Sequence, residues 1–138
     1  MPYPEEMVMP MRAEAVAAGA TELRTADEVL RSLADRRGTA LYFVNSVCGC
    51  SAASARPGLA AALQHAKRPG RVYTSFAGND AEAVAEIRRN MPGIPPSSPS
   101  LALFRDGVLV AVVERHEIQG TSAAEFAQRL GRIFAEFC

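Results

Sequence analysis

The chain has 138 residues, of which 49% are apolar, and its 15 Lys plus Arg balance 15 Asp plus Glu. That is the size and content of one ordinary domain with one core. Zero net charge without a basic block excludes a nucleic-acid footprint, and no run of ~18 apolar residues is present to span a membrane, which leaves proteins and small molecules as expected partners.

The N-terminus, MPYPEEMVMPMRAEAV, carries Glu5 and Glu6 early and lacks both a basic n-region and an apolar h-region. No secretory leader is expected, and the reading places the protein in the cytoplasm, where thiols stay reduced. A helix is predicted over about 4–18, with Pro4 and Pro10 near first-turn positions and Gly19 as its stop. Thr25-Ala-Asp-Glu28 has capping-box spacing, and Val29, Leu30 and Leu33 give the following helix an apolar face that ends at Gly38.

Ala40–Val44 is a continuous apolar run of strand length, as suits a parallel strand buried on both faces. After it, residues 51–66 read as a helix with Leu59 and Leu63 on one side. Pro57 inside that stretch kinks the helix or delays its regular start. Val72–Phe76 is a second strand, and Gly78-Asn79-Asp80 turns into a helix with Val84, Ile87 and Met91 facing inward. A Pro/Ser loop, MPGIPPSSPS, covers 91–100. Leu101–Phe104 and Val108–Val113 flank Arg105-Asp106-Gly107, a strong hairpin signal. Ser122-Ala-Ala-Glu125 opens a last helix, with Phe126, Leu130, Ile133, Phe134 and Phe137 at helical intervals.

A strand–helix–strand unit is parallel and right-handed, and the hairpin extends its sheet in antiparallel fashion. The expected architecture is an α/β three-layer sandwich with a mixed central sheet of about four strands. Residues 1–37 supply N-terminal helices and 38–138 the core of a single domain.

Chemistry concentrates in Asn45-Ser-Val-Cys-Gly-Cys50. The pair lies at the carboxyl end of a central strand, where ligands gather in open α/β sheets. It also precedes a helix whose free N–H groups favour a thiolate. Cys48 is read as the nucleophile and Cys50 as the resolving thiol. Their i, i+2 Cα separation falls in the ~4.4–6.8 Å window of a disulfide, and Gly49 supplies backbone freedom. The small ring should be strained, labile and oxidising. Ser51 and Ser54 either donate to the thiolate or serve as helix-start residues, the second being preferred. Arg56 either raises the local positive potential or is solvated.

Metal binding is the competing use. CxC supplies two thiolates where a structural zinc site wants four ligands, and His65, His116 and Cys138 lack regular spacing to the pair. No metal is assigned. His65 is read as solvated and His116 as a surface residue before a site-lining one. Cys138 is read as a free exposed thiol, with a resolving or dimerising role as the weaker alternative.

Ser98-Pro99-Ser100-Leu-Ala-Leu-Phe104-Arg-Asp-Gly107 resembles the thioredoxin-fold segment in which a cis-proline precedes a strand and hairpin, and Pro57 resembles the kink proline of that fold. NSVCGCSAASARPG (45–58), FAGNDAEA (76–83), PPSSPSLALF (95–104) and ERHEIQG (114–120), with the terminal Cys138, are together similar to the bacilliredoxin family. The resemblance implies a thioredoxin-like fold in which Pro99 is the cis-proline beside the cysteines, and Gly49, Ser51, Ser98 and Pro99 line the substrate site. It implies a bacterial thiol–disulfide oxidoreductase that removes bacillithiol from protein mixed disulfides, with the small thiol as substrate rather than cofactor. Cys48 would take the small thiol and Cys50 or another thiol would release it. The partners so implied are bacillithiolated or disulfide-containing client proteins. The missing residue of CxxC and the lack of a preceding Trp point away from a general thioredoxin-like reductase. A disulfide isomerase or general thiol oxidant uses the same residues and is the alternative; a non-enzymatic metal-binding protein is a third reading.

Overall fold

The computed structural model describes residues 2–138. Its strands are β1 (Thr21–Glu22), β2 (Thr39–Asn45), β3 (Arg71–Phe76), β4 (Ser100–Arg105) and β5 (Val108–Val113), in the spatial order β1-β3-β2-β4-β5. β2 pairs parallel with β3 and antiparallel with β4, while β5 returns antiparallel on β4. Because side chains alternate along a strand, the apolar run of β2 feeds two cores. Leu41 and Phe43 project to one face of the sheet, and Ala40, Tyr42 and Val44 to the other. On the first face lie α1 (Glu5–Ala18), α3 (Arg56–Ala62) and α6 (Ala123–Phe137); on the second lie α2 (Ala26–Ala34) and α4 (Ala81–Arg89). A single turn, α5 (Arg115–Ile118), follows β5. The result is a three-layer α/β/α sandwich with a mixed sheet.

The fifth strand, β1, pairs parallel with β3 through Thr21 and Glu22. Two residues carry no readable alternation, and the division into N-terminal helices (1–37) and core omits it. The hairpin turns on Asp106 and Gly107, with φ of 50° and 80°, the paired positive values of a type I′ turn that matches strand twist. Both capping boxes form: Thr25 Oγ1 accepts from the Glu28 N–H and Ser122 Oγ from the Glu125 N–H, each at 3.1 Å.

Three local expectations are corrected. Pro10 sits inside α1 rather than in its first turn, so the Glu6 carbonyl loses its i+4 donor there. In α2, Leu30 is 49% exposed while Val29 and Ser32 are buried. The Ser32 hydroxyl bonds the Tyr42 hydroxyl at 2.7 Å, which rotates the helix away from a purely apolar seam. Residues 51–66 are not one helix. Ser51–Ala55 form a π-helical turn, and α3 runs only from Arg56 to Ala62. Pro57 has no N–H to continue an α ladder back to Ala53. Instead the Arg56 N–H reaches the Ser51 carbonyl five residues back, and the inserted residue re-aims the side chains around it.

Two features fix what surrounds the end of β2. At Gly58, α3 approaches α6 so closely that a Cβ would lie 2.7 Å from Phe126 Cδ2. Buried Arg12 of α1 grips Asp80, at the start of α4, through Nη1 and Nη2 at 2.8 and 2.9 Å. Asp80 in turn accepts from the Phe76 N–H at 2.8 Å, and Arg12 lies over the Phe76 ring. This fastens α1 to the carboxyl end of β3. No helix among the described residues is long and apolar enough to cross a membrane.

Candidate active site

β2 ends in Asn45, and the side-chain amide of that residue organises the cysteine loop. Asn45 is buried, and its Oδ1 accepts from the Ser46 N–H (2.9 Å), the Ser51 hydroxyl (3.2 Å) and Arg56 Nη1 (3.0 Å). Its Nδ2 donates to the Met11 carbonyl at 3.0 Å. Arg56 is only 3% exposed, so the solvated reading of it is overturned. Its Nη1 also donates to the Ser46 carbonyl at 2.9 Å, and its Nε to Glu14 at 3.3 Å. The loop that carries the cysteines is thus held from beneath by one guanidinium and one amide.

Above this floor, the Ser46 hydroxyl accepts from the Cys48 N–H at 3.1 Å. Cys48 and Cys50 are half-buried free thiols with their sulfurs 2.7 Å apart. Burial pushes the Cys48 thiol up, but it is outweighed by the Cys50 thiol, the N–H groups of Cys50 and Ser51, and the Arg115 charge, so Cys48 lies below the ordinary thiol range. Burial and the neighbouring Cys48 sulfur hold Cys50 above that range. The first cysteine is therefore the more readily ionised, and only the thiolate is a nucleophile.

The serines after the pair do not aim their hydroxyls at the sulfur. Ser51 donates to Asn45, and Ser54 donates to the Thr121 carbonyl; from Ser51 it is the backbone N–H that faces Cys48. Gly49 has an ordinary negative-φ backbone, and a Cβ there would meet nothing within 4 Å, so the thiol state does not itself require glycine. The Ser98–Pro99 peptide bond is cis and Pro99 is buried. Ser98 joins Cys48 in the wall of an open cavity of about 520 Å³, which also includes Arg88 and Arg115.

Spacing and motif do not single out Asn45, Arg88 or Arg115. Arg115 adjoins His116 within the ERHEIQG stretch (114–120), and it is the arginine, not the histidine, that lines the cavity; His116 is exposed. His65 borders a separate groove against α6. Cys138 is exposed and lies beside Thr39 and Arg105, at the opposite end of β2 from Cys48. Seven strand residues at ~3.3 Å each separate the two ends by about 20 Å, which removes a resolving role for Cys138 within one molecule. Among the described residues the one cluster of three possible metal ligands is Glu114, His116 and Glu117. It includes neither cysteine of the pair, and Glu117 is already engaged by Arg129 at 2.6 Å.

Known proteins agree with this fold. A solved structure described as having a thioredoxin fold superposes with a TM-score of 0.60 at 15% identity, over 79% of this chain and 91% of its own. Thioredoxin O2 from Arabidopsis thaliana, in its oxidised state, does so at 0.53 and 16% identity, over 85% and 96%. The profile of the family described as Disulphide isomerase matches residues 3–138. A bacilliredoxin of Cytophaga hutchinsonii is 47% identical over 134 residues, covering 97% of this chain and 98% of the relative. One from Geobacillus kaustophilus is 45% identical over 137 residues, covering 99% and 94%. With matches of this extent, and a CGC pair at the carboxyl end of a central strand of a thioredoxin fold, the chain belongs to the bacilliredoxin family of thiol–disulfide oxidoreductases.

Proposed function

We propose that this oxidoreductase removes bacillithiol from protein mixed disulfides, with Cys48 as nucleophile and Cys50 as resolving thiol. The observation that carries the reading is geometric: Cys48 borders the open cavity, whereas Cys50, its sulfur 2.7 Å from that of Cys48, does not; the lowered Cys48 and raised Cys50 accord with it. The Cys48 thiolate attacks the small-thiol sulfur of the mixed disulfide. A new S–S bond forms between Cys48 and the small thiol, the S–S bond between the small thiol and the client breaks, and the client leaves as a thiolate. Cys50 then loses its proton and attacks the Cys48 sulfur, expelling the small thiol and closing a Cys48–Cys50 disulfide. Two electrons have passed from the pair to the client, and an external thiol reductant returns them.

The raised Cys50 suits this order, because a protonated second thiol does not compete for the first attack. Ser98, in the cavity wall next to the cis-linked Pro99, contacts the incoming chain in this reading. No metal or cofactor enters these steps, and a compartment that keeps thiols reduced, the cytoplasm, suits them. Intact mass of Cys50→Ala after mixing with a bacillithiolated model protein tests the reading. One bacillithiol adduct mapped to Cys48 is expected. A Cys48 that remains alkylatable but gains no adduct would reject bacillithiol as the cargo.

Isomerisation of protein disulfides is the second reading, favoured by the description of the matching family and by the near contact of the two sulfurs. Reshuffling of a scrambled substrate faster than dethiolation would favour it.

A further inference from the structure

The wall of the Cys48 cavity includes two arginines, Arg88 and Arg115, neither with a carboxylate partner among the described residues. Every other arginine close to the carboxyl end of the sheet is engaged: Arg12 by Asp80 and Glu5, Arg24 by Glu5 and Glu22, and Arg56 by Glu14. Arg88, on α4, reaches only the Ser97 carbonyl, at 3.4 Å. Its Nε is buried and has no hydrogen-bond partner, which sets it apart from every other buried side-chain nitrogen or oxygen described. Arg115, at the start of α5, is exposed and has no carboxylate partner; its Nε and Nη2 donate to the Gln119 side-chain oxygen at 3.1 and 3.3 Å, and its charge already acts on Cys48. Its backbone N–H is held by the Ser97 hydroxyl at 3.2 Å, so the residue before Ser98 ties both arginines to the cis-proline loop. Tyr3 closes the far side over Gly78, fastened by reciprocal bonds with Asn79 at 2.9 and 3.0 Å. A buried donor without an acceptor is costly in a folded protein, and a forked guanidinium is suited to carboxylate oxygens.

From this we infer that Arg88 and Arg115 form a carboxylate-binding subsite beside Cys48, which seats the small-thiol half of the mixed disulfide and requires that thiol to be anionic. The inference rests on the dethiolase reading and adds to it the choice of sulfur. A mixed disulfide offers two sulfurs, and attack on the wrong one would join the client to Cys48. With its carboxylate held by the arginines, the small thiol presents its own sulfur to Cys48, and the client sulfur, turned outward, is the one that leaves. Arg88 acts here as a specificity and positioning residue, Arg115 as a second anchor that also lowers the Cys48 pKa.

Small symmetrical disulfides test this, with the Cys50→Ala protein in wild-type, Arg88→Gln, Arg88→Lys and Arg115→Gln backgrounds. The rate of adduct formation on Cys48 is measured with dithiodipropionate (anionic), hydroxyethyl disulfide (neutral) and cystamine (cationic). In each case the thiolate attacks one sulfur and the other half leaves as a thiolate, so no further oxidant is needed. The anionic-to-neutral rate ratio cancels any change in the Cys48 pKa, since both reagents meet the same thiolate. The unmodified arginines should favour the anion over the neutral reagent and the cation least. Each Gln variant should lower the ratio roughly tenfold, as expected for one charge-assisted hydrogen bond, and Arg88→Lys should restore part of it. If the neutral reagent reacts readily but the ratio is close to one and unmoved by the variants, the subsite is refuted while the thiol chemistry stands. If Cys48 reacts with none of the three, the dethiolase reading fails and the subsite with it.

Discussion

Arg56→Met tests whether the cysteine loop is held from below as described. Methionine keeps most of the apolar stem and deletes the guanidinium. Two buried bonds from a charged donor are lost, to Asn45 Oδ1 at 3.0 Å and to the Ser46 carbonyl at 2.9 Å. Such bonds contribute about 1.5–3 kcal/mol each. The bond to Glu14 adds little, because that carboxylate is half exposed. These values are already net of desolvation, so the expected loss is about 3–6 kcal/mol. Asn45 retains the Ser46 N–H and the Ser51 hydroxyl, whereas the Ser46 carbonyl loses its side-chain donor. Urea unfolding should therefore show a lower midpoint at unchanged slope. Alkylation of Cys48 should accelerate as well, since the loop that partly buries it loosens. Glu14→Gln, by contrast, should stay within about 0.5 kcal/mol of the parent. A loss below about 0.5 kcal/mol for Arg56→Met, with unchanged alkylation, would refute the claim that this guanidinium organises the site.

Three further outcomes are expected. The alkylation rate of Cys48 should rise with pH through a lower midpoint than that of Cys50, because Cys48 lies below the ordinary thiol value and Cys50 above it; peptide mapping after timed alkylation separates them, and coincident midpoints would contradict the asymmetry. Arg12→Met leaves Asp80 buried with only the Phe76 N–H and should cost about 3–5 kcal/mol, read from denaturant unfolding. Gly58→Ala gains helix propensity of about 1 kcal/mol but forces Phe126 to move at about 1–3 kcal/mol, for a net loss of about 0–2 kcal/mol in the same assay.

Periodicity and turn chemistry were legible along the chain because they are local. The apolar run at 40–44, the Asp106-Gly107 turn and the two capping boxes each act over a few residues, and each forms as expected. Local signals failed where a distant partner decides. Ser32 displaces Leu30 from the buried face because Tyr42 offers a hydroxyl, and β1 exists because β3 supplies an edge to pair with. Pro57 announced an irregularity, but whether it became a kink or a π turn depended on the bonds that Ser51, Ser54 and Arg56 find around it.

The candidate site divides along the same line. Order along the chain determined that two thiols separated by one residue come directly after a central strand, which is enough to specify reactive sulfur at the carboxyl edge of a sheet. Which thiol ionises first depends on the N–H groups of Cys50 and Ser51 and on Arg115, which is brought back to Cys48 from beyond β5. The floor under the loop joins Asn45 and Arg56 to Met11 and Glu14 of α1, and the cavity takes Arg88 from α4. Met11, Glu14 and Arg88 lie tens of positions from the pair, so no spacing rule in the sequence could select them. Only the packing of helices on both faces of one sheet brings these groups together at the end of β2.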